Sequence, residues 1–179
     1  MASRYPVCSP DGKWVYYQND GAGQIWRVPA DGSGHAEVIP GSVVPNTIIA
    51  GLCPALSPNG KFLAFVIVNA LNPDVMKPED KIALVNLDSA ASPLLLKVEP
   101  EITGTGFQFA PDGKALAAVK ENGVDNIWLQ AQDGSPGRKI TNFNSEQIVD
   151  LHWSPDGKNL GILRSHSDSD VVLLQDSKP

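Results

Sequence analysis

The sequence predicts an all-β chain of β-propeller blades, about four of them, each built from four short antiparallel strands. Three observations predict it: a turn motif that recurs four times, apolar residues that alternate with period two beside each copy, and the lack of any segment with useful helical periodicity. The motif is Ser9-Pro10-Asp11-Gly12-Lys13, which returns as Ser57-Pro58-Asn59-Gly60-Lys61, Ala110-Pro111-Asp112-Gly113-Lys114 and Ser154-Pro155-Asp156-Gly157-Lys158. Its prolines stand 48, 53 and 44 residues apart, a period shared by propeller blades and by helical arrays of similar length. Local chemistry selects the blades. Pro at the second turn position fixes φ, Asp or Asn bonds the local backbone, and Gly takes the left-handed conformation, so each copy is a tight reverse turn.

The strands of each unit, a to d, follow in order. Strand a precedes the turn, as in Phe107-Gln108-Phe109 and Leu151-His152-Trp153. Strand b follows it, and the residues two and four places past the motif lysine are Val15 and Tyr17, Leu63 and Phe65, Leu116 and Ala118, Leu160 and Ile162. That spacing puts one apolar face on each strand. Strand c is expected at 24–28, 81–85, 126–129 and 170–174, and strand d at 36–39, 94–98 and 138–141. The blades then fall at 4–40, 48–98, 102–142 and 148–175. The last blade has no good fourth strand, because 175–179 is short and polar and 1–3 offers no replacement. The expectation is therefore a segment of a ring of about six to eight blades, whose first and last blades expose faces that favour self-association.

Composition narrows the function. The 179 residues carry 14 Lys and Arg against 20 Asp and Glu, a net charge of −6, and the charges are dispersed. Nucleic acid and membrane insertion are not expected partners, since neither a basic footprint nor a long apolar run is present. Hydrophobic residues make up 42%, with 16 Gly and 15 Pro, a globular and turn-rich balance.

The repeated turn, followed by an apolar strand, Asn126-Ile127-Trp128 and then Asp133-Gly134, resembles the WD-repeat-like propeller repeats of TolB-type proteins. Residues 126–174, with Thr141-Asn142-Phe143, Trp153 and Ser169-Asp170-Val171-Val172-Leu173, look especially like the carboxyl-terminal sensor blades of bacterial serine/threonine kinases and winged-helix regulators. The resemblance implies a propeller, a binding or sensing role, and an extracytoplasmic setting, periplasmic or at the cell surface. The second unit departs from the pattern in Asn59 and in lacking a Trp in strand c.

The leading functional expectation is a non-catalytic binding or sensor module for a protein, peptide or small ligand. The a–b and c–d turns share one end of the ring and are uniform. The b–c and d–a connections share the other end and vary, at 19–23, 69–80, 120–125 and 164–169. Of these 69–80 is an insertion, since Pro58 to Ile82 spans 24 residues where Pro111 to Ile127 spans 16. Variable loops on a rigid scaffold are where binding resides, so the expected binding residues are Asp74, Lys77, Glu79, Asp80, His166 and Asp168. Asp11, Gly12, Asn59, Gly60, Asp112, Gly113, Asp156 and Gly157 are expected to be structural turn residues.

No catalytic residue, metal ligand or cofactor is expected. His35, His152 and His166 lack metal-site spacing, there is no Gly-x-Ser-x-Gly elbow, and no glycine-rich segment opens a helix. His152 stands on an inner strand, where it either lines the central channel or bonds nearby as an ordinary strand residue. The alternatives are a metal-dependent propeller hydrolase of the lactonase or esterase kind and an accessory propeller of a peptidase. The first needs inner-strand carboxylates, and 48–56 and 102–109 have none, leaving Asp150. Cys8 and Cys53 are read as two buried free thiols, with a bridge left open. The four tryptophans, Trp14, Trp26, Trp128 and Trp153, are read as core between blades.

Overall fold

The computed structural model describes residues 3–19, 24–45, 47–49, 54–69, 81–97, 107–120, 124–154 and 156–166. Among them every regular element is a strand. The first sheet runs β1 (Ser3–Cys8), β2 (Trp14–Asn19), β3 (Gln24–Pro29) and β4 (Glu37–Val38), each antiparallel to the next. The second contains β5 (Thr47–Ile49), β6 (Ala55–Leu56), β7 (Phe62–Asn69), β8 (Lys81–Asn86) and β9 (Leu94–Lys97), with β5 and β6 both paired to β7. The third is β10 (Phe107–Phe109), β11 (Ala115–Lys120), β12 (Asn126–Ala131) and β13 (Arg138–Lys139). The fourth pairs β14 (Gln147–Trp153) with β15 (Leu160–Ser165). The repeat thus gives successive antiparallel sheets, of four strands in the first and third blades, five in the second and two described strands in the fourth. The third strand expected for the last blade lies outside the described residues.

The turns form as their chemistry dictates. In each copy the glycine N–H donates to the carbonyl three residues earlier, from Gly12 to Ser9, Gly60 to Ser57, Gly113 to Ala110 and Gly157 to Ser154, at 2.8–2.9 Å. All four glycines have φ between 66° and 72°, a region costly to other residues. In the first turn Ser9 Oγ donates to Asp11 Oδ1 at 2.6 Å and accepts the Trp14 N–H, while the Lys13 N–H donates to the same carboxylate oxygen. Asn59 reproduces this arrangement with its amide oxygen, taking Ser57 Oγ at 2.7 Å and the Lys61 N–H at 3.0 Å. Asn is therefore a faithful replacement, because the turn uses an acceptor and not a charge. The third turn has Ala110 in place of Ser and keeps only the Lys114 N–H to Asp112 bond of this set. The hydroxyls of Ser9 and Ser154, aided by the backbone N–H groups of Lys13 and Lys158, hold the Asp11 and Asp156 carboxyls below the usual carboxylate range.

Asn126 explains a further motif. Its Oδ1 accepts the Phe143 N–H at 2.8 Å and the Thr141 hydroxyl at 3.1 Å, and Thr141 Oγ1 in turn accepts the Ile127 N–H. One buried amide thereby fastens the Thr141-Asn142-Phe143 segment to β12.

The sheets pack face to face through three cores. Tyr16, Ile25 and Ile39 of the first blade meet Ile49, Leu63, Phe65, Ile67, Ala83 and Val85 of the second. The other face of the second blade, with Ala64, Val66, Ile82, Leu84 and Leu96, meets Phe107, Phe109 and Leu116 of the third. Ala117, Val119 and Ile127 of the third meet Ile148 and Leu151 of the fourth. Odd and even residues of β7 thus serve opposite neighbours, the period-two geometry of a strand used on both faces. Each such Leu, Ile or Phe contributes about 1.5–3 kcal/mol by leaving water.

The repeat glycines add a second kind of contact between blades. A Cβ on Gly60 would lie 3.5 Å from Pro10, one on Gly113 3.8 Å from Pro58, and one on Gly157 2.6 Å from Pro111. Each turn glycine therefore faces the proline of the preceding turn. Gly12 has nothing within 4 Å.

Two expectations are corrected. Cys8 is an exposed free thiol, not a buried one, because it faces outward from the first sheet; Cys53 lies outside the described residues. The inner strand of the second blade is divided into β5 and β6. Of the tryptophans, Trp14 and Trp153 pack against the cores, and Trp26 pairs across the sheet with Tyr17 and Val38 on the face opposite Ile25.

Candidate functional site

The inner strands of all four blades line one cavity of about 530 Å³. Val7 comes from β1, Ala55 and Leu56 from β6, Phe107 to Phe109 from β10, and His152 and Trp153 from β14, with Pro58, Pro111 and Ser154 of the turns at one end. The walls are mainly apolar because each inner strand presents the residues that lead into its turn, and those are proline, aromatic or aliphatic. The cavity is thus at the end of the ring that carries the Ser-Pro-Asp-Gly-Lys turns.

Three polar side chains, Gln108, His152 and Ser154, stand on this lining. Gln108 Nε2 donates to the Leu151 carbonyl at 2.6 Å and lies 2.9 Å from His152 Nδ1. His152 Nε2 lies 3.3 Å from Asp150 Oδ2, and the imidazole is largely exposed. With the Gln108 amide donating to Nδ1, the neutral ring carries its proton on Nε2, toward the carboxylate. The row Gln108, His152, Asp150 can orient a polar group of a ligand, with Gln108 Oε1 as an acceptor for its N–H. Ser154 on the same lining donates its hydroxyl to Asp156 at 2.6 Å and accepts the Asn159 N–H, so it serves the turn.

The residues expected from the variable loops are placed differently. Asp74, Lys77, Glu79, Asp80 and Asp168 lie outside the described residues. His166 follows β15, with Nδ1 3.7 Å from Glu146 Oε1. Glu146 also pairs with Arg164 at 3.1 Å, and the Arg164 guanidinium stacks 3.8 Å over the Phe143 ring. Glu146 has φ of 67°, an uncommon conformation outside glycine. Glu146 and Arg164 were not anticipated as partners of His166; the variable 164–169 connection was the only signal in the sequence, and it does not reach Glu146. Asp125 is buried beside this cluster, where Oδ2 accepts the Ile148 N–H at 2.8 Å and ties the third blade to the fourth.

Among the described residues no three His, Cys, Asp or Glu side chains gather as a metal site, and no helix is long and apolar enough to cross a membrane.

The sequence matches no protein-family profile and no curated protein. Solved structures do match. TolB from Acinetobacter baumannii is 21% identical with a TM-score of 0.69, over 94% of this chain and 39% of that one. An oligogalacturonate lyase in complex with manganese is 19% identical with a TM-score of 0.70, over 87% of this chain and 45% of that one. A chain of a nidogen/laminin complex is 15% identical with a TM-score of 0.60, over 85% of this chain and 52% of that one. The chain spans about two fifths to one half of these structures.

This chain has the all-β propeller fold of TolB and of the other propellers it matches. The expectation that it is no enzyme is corrected by the same comparison: a lyase carries this fold over most of the chain's length, so the fold gives no ground for setting catalysis aside.

Proposed function

We propose that the chain is a propeller recognition module that binds a peptide segment of a protein partner in the cavity at the turn end of the inner strands. The observation that carries this reading is the cavity itself, about 530 Å³ with apolar walls drawn from four strands and with Gln108 and His152 as polar anchors. Ligand sites of this kind combine apolar area for affinity with a few placed polar groups for orientation. The match to a chain of a nidogen/laminin complex supports a protein partner.

The rival location is the variable loop end, with Asp74, Lys77, Glu79, Asp80, His166 and Asp168; the Glu146–Arg164–His166 cluster favours it. Peptides selected from a displayed random library on the purified chain separate the two. His152→Ala is expected to weaken a selected peptide by about three- to tenfold, the worth of one hydrogen bond, while His166→Ala with Asp168→Ala leaves it unchanged. The opposite pattern places recognition on the loops, and failure to select any peptide refutes the peptide reading.

A further inference from the structure

The hydrogen bonds already made on the cavity lining limit what a ligand can bring to it. Counted from the turn prolines, Val7, Ala55, Gln108 and His152 are counterparts, each three residues before its proline, and all four line the cavity. Two blades place apolar groups there, and two place an amide and an imidazole. Gln108 Nε2 has two N–H groups, which the Leu151 carbonyl and His152 Nδ1 take up. Only Oε1 of that amide remains, and it accepts. Ser154 Oγ is spent within its turn, donating to Asp156 and accepting from Asn159. The Trp153 indole N–H is buried, out of a ligand's reach.

His152 connects this row to a charge. Its Nε2 faces Asp150 Oδ2 at 3.3 Å, while Asp150 Oδ1 accepts the Leu151 N–H at 2.8 Å. No Asp, Glu, Lys or Arg is on the cavity lining itself, so this carboxylate is the charge that adjoins it. Among the described residues no Lys or Arg pairs with Asp150, and a neutral imidazole leaves its charge uncompensated. The polar side of the cavity therefore presents acceptors, an amide oxygen on one flank of the imidazole and a carboxylate on the other. No side-chain donor on the lining is left to give.

We propose that the peptide bound in this cavity is anchored by an arginine, whose guanidinium lies along His152 and donates to Gln108 Oε1 and to Asp150, while neighbouring apolar side chains fill the space beside Val7, Leu56 and Phe109. This rests on the peptide reading above and adds the chemistry of the ligand to it. Unspent acceptors call for donors, and an uncompensated carboxylate binds a charged donor more strongly than a neutral one. Shape favours arginine over lysine: five N–H groups in one plane reach both flanks of the imidazole and the plane stacks on a flat ring, whereas an ammonium is a point charge. An acidic side chain or a free carboxylate would meet only acceptors. The net charge of −6 on the chain also attracts a basic partner at longer range.

Peptides selected from a displayed random library on the 179-residue chain test this. The expected sequences carry an arginine beside apolar residues. Replacing that arginine by citrulline, which keeps the shape and removes the charge, should weaken binding about tenfold, the worth of one hydrogen bond to a charged group. This comparison needs no variant of the protein. Asp150→Asn keeps an acceptor for the Leu151 N–H, so its strand circular dichroism should be unchanged, and on it the arginine and citrulline peptides should bind alike. Selected peptides without arginine, or a citrulline peptide as tight as its parent, overturn the arginine anchor and leave the peptide reading standing if His152→Ala still weakens them. An arginine preference that persists on Asp150→Asn overturns the anchor as well. A selection that yields no peptide removes the peptide reading and this proposal with it.

Discussion

The second and fourth blades are built around the same kind of turn, yet their strands bury different things. In β8 four consecutive residues, Ile82 to Val85, are buried, and β7 is buried from Leu63 to Ile67. In β15 partial burial and exposure alternate along the whole strand. The difference is one of position: the second blade is packed on both faces, the fourth on one among the described residues. A strand with two neighbours is buried on consecutive residues and a strand with one on alternate residues, so burial along a strand reports a blade's place in the stack.

The largest expected effect follows directly. Phe65→Ala removes a fully buried ring from between two blades and should cost about 3–5 kcal/mol, whereas Leu163→Ala in a dilute sample should stay within about 0.5 kcal/mol. Denaturant unfolding of both variants checks this, and equal losses would refute the contrast.

The turns carry the same contrast at smaller scale. Gly12→Ala should cost about 1–2 kcal/mol from its left-handed backbone. Gly157→Ala meets that cost and also the Pro111 ring, which a Cβ would approach to 2.6 Å, so it should exceed Gly12→Ala by about 1–3 kcal/mol. Thermal melts of the two variants side by side give the difference. Smallest is the third turn, where Ala110→Ser supplies the hydroxyl that Ser9, Ser57 and Ser154 provide in the other turns. It should stabilise by about 0.5–1.5 kcal/mol, read as a raised denaturation midpoint.

How much of this was legible in the sequence divides along the same physical line. Everything local was readable: the turns, because Pro, Asp and Gly each fix their own backbone, and the flanking strands, because period two is a property of the strand alone. The division of β5 from β6 was also marked locally, by Gly51 and Pro54 within 48–56, residues that interrupt a strand, although the period-two reading passed over them. What depends on stacking was hidden. Gln108 and His152 are 44 residues apart and meet only because the third and fourth blades pack. The seating of each glycine on the preceding proline belongs to two turns at once, and the outward placement of Cys8 and Trp26 depends on which face of the first sheet the second blade covers. Of the candidate site, His152 and Asp150 were noticed singly as inner-strand residues, but their connection through Gln108 required the packed structure.

The most direct test of the central claim, that packing on both faces makes the second blade more stable than the fourth, is amide hydrogen exchange on dilute protein. The amides of Leu63 to Ile67 and Ile82 to Val85 should exchange only through global unfolding, while those of Leu160 to Leu163 should exchange through smaller openings that leave the second blade folded. Equal protection in both blades, or slower exchange in the fourth, would contradict it.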